Sequence, residues 1–204
     1  MLRQRIISAL VLALSLVLII TLLPQNMLLL FLAAITCFSF WEFLKVRFSN
    51  LLTIVCLFLF VIFLSIAKQP FFNNLFIVLS FATYLFATIF ILSFPLNKNF
   101  LKNRLTWSIM GFLSHLGFYA AIFQILIIDQ QASFYPGPYN DRVFILFIIL
   151  VSVLMDSIAF FAGKKFGSRS FISNVSPNKT LEGFLFAILL SPPLLLLLSM
   201  DAFS

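Results

Sequence analysis

Asp156 is the ionisable residue of this chain with most to explain. It is a carboxylate about two turns inside an apolar run, in Leu154-Met155-Asp156-Ser157-Ile158-Ala159-Phe160-Phe161-Ala162-Gly163. A charge at such a depth is expensive unless it faces a partner or water, so it marks a working interior. Asp156, Phe160, Gly163 and Gly167 follow one another at i, i+4, i+7 and i+11, which places them on one helix face, and the two glycines leave room for a second backbone. The spacing predicts an unpaired carboxylate pointing into a helical bundle near its mouth. There it suits a divalent cation, which takes hard oxygen ligands and brings phosphates with it, although a single carboxylate needs a second ligand to hold magnesium.

The anion-binding chemistry would come from the next segment. Lys164, Lys165, Arg169 and Lys179 cluster around the polar stretch Ser168 to Val175, and Ser176-Pro177-Asn178-Lys179-Thr180-Leu181-Glu182-Gly183 leads into the next apolar run. Ser176 followed by Pro177 reads as a helix N-cap and first helical position. Free amides at such a start bind anions, and a lysine in that first turn opposes the helix dipole, which a phosphate ligand would explain and helix stability would not. Phosphate beside metal at a membrane face implies a nucleotide or a phospholipid headgroup. Two further ionisable residues have simpler readings. Glu42, after Trp41 and one turn before Lys45, is expected to be an interfacial anchor in a local ion pair. His115, mid-run in Ser114-His115-Leu116-Gly117, is expected to be a hydrogen-bonded packing residue.

The elements that carry these groups follow from composition. The chain has 204 residues, 63% hydrophobic and 9% charged, with 29 Phe. Its mean hydropathy is +1.16. Soluble domains carry about 25% charged residues, so a water-soluble fold is excluded and the surplus apolar surface must face lipid. Apolar runs at 6–23, 27–44, 51–67, 75–96, 105–128, 143–162 and 183–200 predict an all-α, polytopic transmembrane helical bundle of about seven spans, one integral membrane domain over 1–204. The first run, behind Arg3 and Arg5, reads as a retained helix rather than a cleaved signal.

The net charge of +7 reads as topology before it reads as ligand, so no nucleic acid partner is expected. With a cytoplasmic N-terminus, eleven basic residues fall inside: Arg3, Arg5, Lys45, Arg47, Lys98, Lys102, Arg104, Lys164, Lys165, Arg169 and Lys179. Only Lys68 and Arg142 fall outside, with Phe134-Tyr135-Pro136-Gly137-Pro138-Tyr139 and the C-terminus. The segment 163–182 is then a cytoplasmic nucleotide or phosphate loop of an inner-membrane protein. Cys37 and Cys56 sit inside apolar runs and suggest no chemistry. Pro192-Pro193 is expected to break or kink the last span.

Asp156 to Gly167, followed by Ser176 to Gly183, resembles the phosphatidate cytidylyltransferase (CDP-diacylglycerol synthase) family, and Leu2-Arg3-Gln4-Arg5-Ile6-Ile7-Ser8-Ala9 is similar to that family's start. The resemblance implies transfer of CMP from CTP to phosphatidate, giving CDP-diacylglycerol and pyrophosphate in phospholipid synthesis, with Mg2+ as cofactor, membrane lipid around the chain and homodimerisation through the helices. It implies that Lys179 and Ser176 hold phosphates, that Asn178 and Thr180 orient them, and that Asp156 arranges the metal. Pro177, Glu182, Gly183, Lys164 and Lys165 complete the implied binding set. Glu182, three residues from Lys179, either holds that lysine or approaches the metal, and Gly183 packs the last helix closely. The family's Lys-Asp pair, His-Gly-Gly turn and further aspartates would lie beyond residue 204, so the chain reads as a C-terminally truncated form whose own activity is an open question. The alternatives are a related lipid or polyprenol phosphotransferase, or a transporter or non-catalytic membrane subunit with Asp156 and His115 along a path.

Overall fold

The computed structural model describes residues 2–94, 103–128, 140–173 and 176–202. Lys98, Lys102, the Phe134 to Tyr139 stretch, Asn174, Val175 and Ser204 lie outside the described residues. Each apolar run forms one helix: α1 (Leu2–Leu22), α2 (Gln25–Lys45), α3 (Asn50–Ile66), α4 (Pro70–Leu92), α5 (Arg104–Phe123) continuing as a π-helical turn over Gln124–Ile128, α6 (Asn140–Phe166) and α7 (Leu181–Ala202). Helix is the expected outcome, because it pairs every backbone group within the segment. Four helical stretches, Gln25–Lys45, Pro70–Leu92, Arg104–Ile127 and Asp141–Phe166, are long and apolar enough to cross a membrane. Shorter apolar stretches occupy Val11–Leu22, Asn50–Ile66 and Leu181–Leu194. The all-α expectation therefore holds, and among the described residues four helices are long and apolar enough to cross a membrane while three of the expected spans form shorter apolar stretches.

Local signals set the boundaries. Pro70 opens α4, where a missing N–H costs nothing. Asn103 caps α5, its side chain accepting from Leu105 N at 3.0 Å. Arg142 donates to the terminal α1 carbonyls of Ile20 and Thr21, at 3.2 and 2.7 Å, a cation on the negative end of a helix. In α7 the helix continues through Pro192 and Pro193 instead of breaking there. Their fixed φ is compatible with helix, at the cost of two backbone donors and of ring contacts with the carbonyls one turn earlier.

The chain divides into two compact units. The first comprises Met1–Ile89 with Asn97–Val143, and its core is aromatic: Phe40 stacks on Phe60 at 4.5 Å, and Phe112 meets Phe60 edge-on at 5.5 Å. Fully buried Asn73 donates to Ala67 O and Ala120 O, each at 3.0 Å, tying the end of α3 and the middle of α5 to the first turn of α4. His115 is the packing residue expected. Its Nδ1 lies 2.7 Å from Gly111 O and its Nε2 3.2 Å from Ser39 Oγ, so Nδ1 carries the proton and Nε2 accepts. The ion pair expected between Glu42 and Lys45 is replaced. Lys45 Nζ sits 3.8 Å from the Trp41 ring centre, because one turn of helix stacks the amphipathic lysine on the aromatic face while Glu42 points elsewhere on the helix.

The second unit, Phe90–Leu96 with Phe144–Ser204, contains most of α6, a two-stranded hairpin and α7. The hairpin is β1 (Ser170–Ile172) paired antiparallel with β2 (Ser176–Thr180).

Candidate functional site

The hairpin corrects the expected start of the last helix. Ser176 and Pro177 are strand residues, and α7 begins at Leu181. Thr180 is the cap: its Oγ1 accepts from Gly183 N at 3.2 Å, the N-cap to third-residue bond of a helix start. Leu181 N donates to Arg169 O at 2.9 Å, which competes successfully with a longer helix by giving that amide a partner outside it. Lys179 is thus a strand residue, not a first-turn helix residue, and the conflict with the dipole disappears.

Register explains how the strand presents its side chains. Ser170 pairs with Thr180 and Ile172 with Ser176, so two steps along β1 are matched by four along β2. The mismatch bulges Pro177, Asn178 and Lys179 out of the ladder. Pro177 tolerates that place because it has no N–H to pair. Successive residues on a regular strand face opposite ways, yet Asn178, Lys179 and Thr180 all line one cavity.

That cavity, about 620 Å³, lies within the second unit and is of the size that takes small ligands. Its polar lining residues are Ser152, Asp156, Lys164, Asn178, Lys179 and Thr180, and the others are Met155, Ala159, Phe160, Gly163, Phe171, Phe184 and Ala187. Glycines bring α6 and α7 together. A Cβ on Gly183 would lie 2.5 Å from Ala159 O and 3.1 Å from Gly163 Cα, and one on Gly163 would lie 2.7 Å from Thr180 Oγ1. The close packing expected of Gly163 and Gly183 is what the backbones use, and it sets β2 beside the Asp156 face of α6.

Asp156 is therefore paired, not unpaired. Lys179 Nζ reaches its Oδ1 at 3.4 Å, with 65% of the lysine side chain and 80% of the aspartate exposed. The partner comes from 23 residues along the chain, out of reach of any helix-face argument. Glu182 takes neither of its two expected roles. Its Oε1 accepts from the Ser168 hydroxyl and its Oε2 from Arg169 N at 3.3 Å, so it staples the segment before β1 to the start of α7. The Ser168 hydroxyl, with backbone amides around it, holds the Glu182 carboxyl down at about 2.

Of the residues expected in the site, Asp156, Lys164, Asn178, Lys179 and Thr180 share the cavity wall. Ser176 pairs with Ile172, Lys165 Nζ lies 5.2 Å from the Phe166 ring, and Pro177, Glu182 and Gly183 act in the bulge, the staple and the helix contact. Several cavity residues had no signal beyond being apolar, among them Phe171 and Phe184, which stack at 4.4 Å and 18° and join β1 to α7. Among the described residues no three of His, Cys, Asp and Glu converge as a metal cage. The donors at hand, one carboxylate with the Ser152, Asn178 and Thr180 oxygens on the same wall, fit a magnesium ion that arrives on phosphates rather than one held by protein alone.

Compared with known proteins, residues 3–201 match the cytidylyltransferase family. The chain belongs to that family. It is also similar to the phosphatidate cytidylyltransferase of Haemophilus influenzae, 28% identical over 98 residues, which is 48% of this chain and 33% of that relative. The match thus spans about a third of the relative's length. No solved structure matches the chain. Two ammonium groups and one carboxylate leave the cavity lining net positive.

Proposed function

We propose that the cavity is the nucleotide site of an enzyme that transfers CMP from CTP to phosphatidate at the cytoplasmic face of the inner membrane, the chain being multi-pass with its N-terminus inside. The observation that carries this reading is the joint placement of Lys164, Asn178, Lys179 and Thr180 with Asp156 in the lining of one cavity, beside apolar side chains. Family membership supports cytidylyl transfer, and the relative's name supports phosphatidate.

In the reaction a phosphate oxygen of the lipid attacks the α phosphorus of CTP and the bond to pyrophosphate breaks. The protein's share is positioning and charge neutralisation. Lys179 and Lys164 would donate to phosphate oxygens, and Asn178 and Thr180 would fix their orientation. Asp156 would give one oxygen ligand to magnesium carried by the triphosphate, and the ion would supply further neutralisation of developing charge. Lining residues of α6 run from Ser152 to Lys164, about 18 Å at 1.5 Å per residue, with Met155, Ala159 and Phe160 interleaved among Ser152, Asp156 and Lys164. A lining of cations beside apolar side chains suits a substrate with a phosphate head and an acyl body.

The test is lipid labelling by membranes containing this chain, given phosphatidate, magnesium and CTP labelled at the α phosphate. Labelled CDP-diacylglycerol is expected, falling about ten- to a hundredfold in Lys179→Ala through loss of a charged hydrogen bond. Label that enters lipid only from the γ phosphate would instead identify a phosphotransferase.

A further inference from the structure

The Lys179–Asp156 pair has a property that neither residue has alone: the cation offered to a phosphate already carries a counter-ion of its own. The contact is a single one at 3.4 Å between two largely exposed side chains, so it is weak enough to open. It is also central, because Asp156 and Lys179 both line the cavity with Lys164 as the other charged group of the wall. A bare triphosphate approaching Lys179 must displace Asp156 and then tolerate its negative charge a few ångströms away. An anion that carries a divalent cation meets no such opposition, since the carboxylate can turn to the metal as the ammonium turns to phosphate.

We propose that Asp156 is a specificity-determining counter-ion that masks Lys179 against metal-free polyphosphates, so that the site selects the magnesium-loaded nucleotide over the free one. The inference rests on the nucleotide reading of the cavity. It concerns exclusion of the wrong ligand, a matter of negative charge placed against an unwanted anion.

Equilibrium binding of radiolabelled CTP to the detergent-solubilised full chain, in EDTA and at low ionic strength where exposed charges act most strongly, tests it. Asp156→Asn is expected to bind free CTP about two- to fivefold more tightly than the unaltered protein, the range for loss of one exposed pair. Asp156→Glu, which keeps the charge, is expected to restore the weak binding of free CTP. In magnesium the order reverses, with the unaltered protein binding more tightly than Asp156→Asn. Tripolyphosphate as competitor in EDTA should follow the same pattern, since the mask acts on phosphate charge. If Asp156→Asn binds free CTP no more tightly than the unaltered protein while Lys179→Ala has lost CTP binding, the mask is wrong and the nucleotide site stands. If the unaltered protein binds no CTP with or without magnesium, or Lys179→Ala binds as well as it does, the nucleotide reading itself falls and the mask with it.

Discussion

Single residues in the second unit do work that their types hardly announce. Thr180 ends β2, caps α7 through Gly183 N and turns toward the cavity. Thr180→Ala should therefore lower stability by about 1 kcal/mol, the usual cost of a lost cap, while Thr180→Ser recovers most of it. Thermal unfolding in detergent measures both. Gly183 has a different constraint. Any Cβ there meets the Ala159 carbonyl oxygen at 2.5 Å, and that oxygen belongs to a helix backbone that cannot step aside. Gly183→Ala is expected to cost about 1–3 kcal/mol as an overpacked contact, read as a shifted unfolding transition with lower CTP binding. The glycine spacing along α6 made such a contact legible in the sequence. The identity of the cap did not follow, because Ser176-Pro177 offers an equally good local signal and only the bond from Leu181 N to Arg169 O decides between them.

Among the elements, helices were the readable part. An apolar run with no internal alternation has one way to satisfy its backbone in lipid, and all seven runs became helices. The hairpin was not readable. Its strands are short, its pairing links residues that hydropathy treats as loop, and its staple depends on Glu182 finding Ser168 and Arg169. The ion pair shares that difficulty, since Asp156 and Lys179 meet only once the hairpin has folded back on α6. The staple has a defined pH range. Glu182 titrates at about 2 in the folded chain against an ordinary value of 4.5. A lowered carboxylate contributes above its unfolded value and loses its contribution as pH falls toward the folded one. Hydrogen exchange across 168–182 should accordingly be unchanged by this group between pH 5 and 8, and Glu182→Gln at pH 7 should raise it as strong acid would.

The whole chain separates an aromatic core in the first unit from the polar cavity of the second, the proposed nucleotide site. The first unit has its own interior, in which Asn73 serves two carbonyls at once, and both cysteines pack half-buried in the same unit. Asn73→Ala would remove a donor from Ala67 O and from Ala120 O, the latter keeping the Gln124 N–H, and a cost of about 1–3 kcal/mol is expected. The variant should unfold at lower denaturant while its CTP affinity, measured where it is still folded, stays within error. Loss of affinity in step with stability would show that the two units share one fate. The unequal register of the hairpin has a further effect, on which lengths of chain this segment tolerates. Because the three residues Pro177 to Lys179 stand opposite a single residue of β1, a surplus of two, removing one of them would leave the strand paired but exchange which neighbours face inward. A one-residue deletion there should spare folding and abolish nucleotide affinity, whereas the same deletion in the middle of α6 would rotate everything beyond it by a hundred degrees.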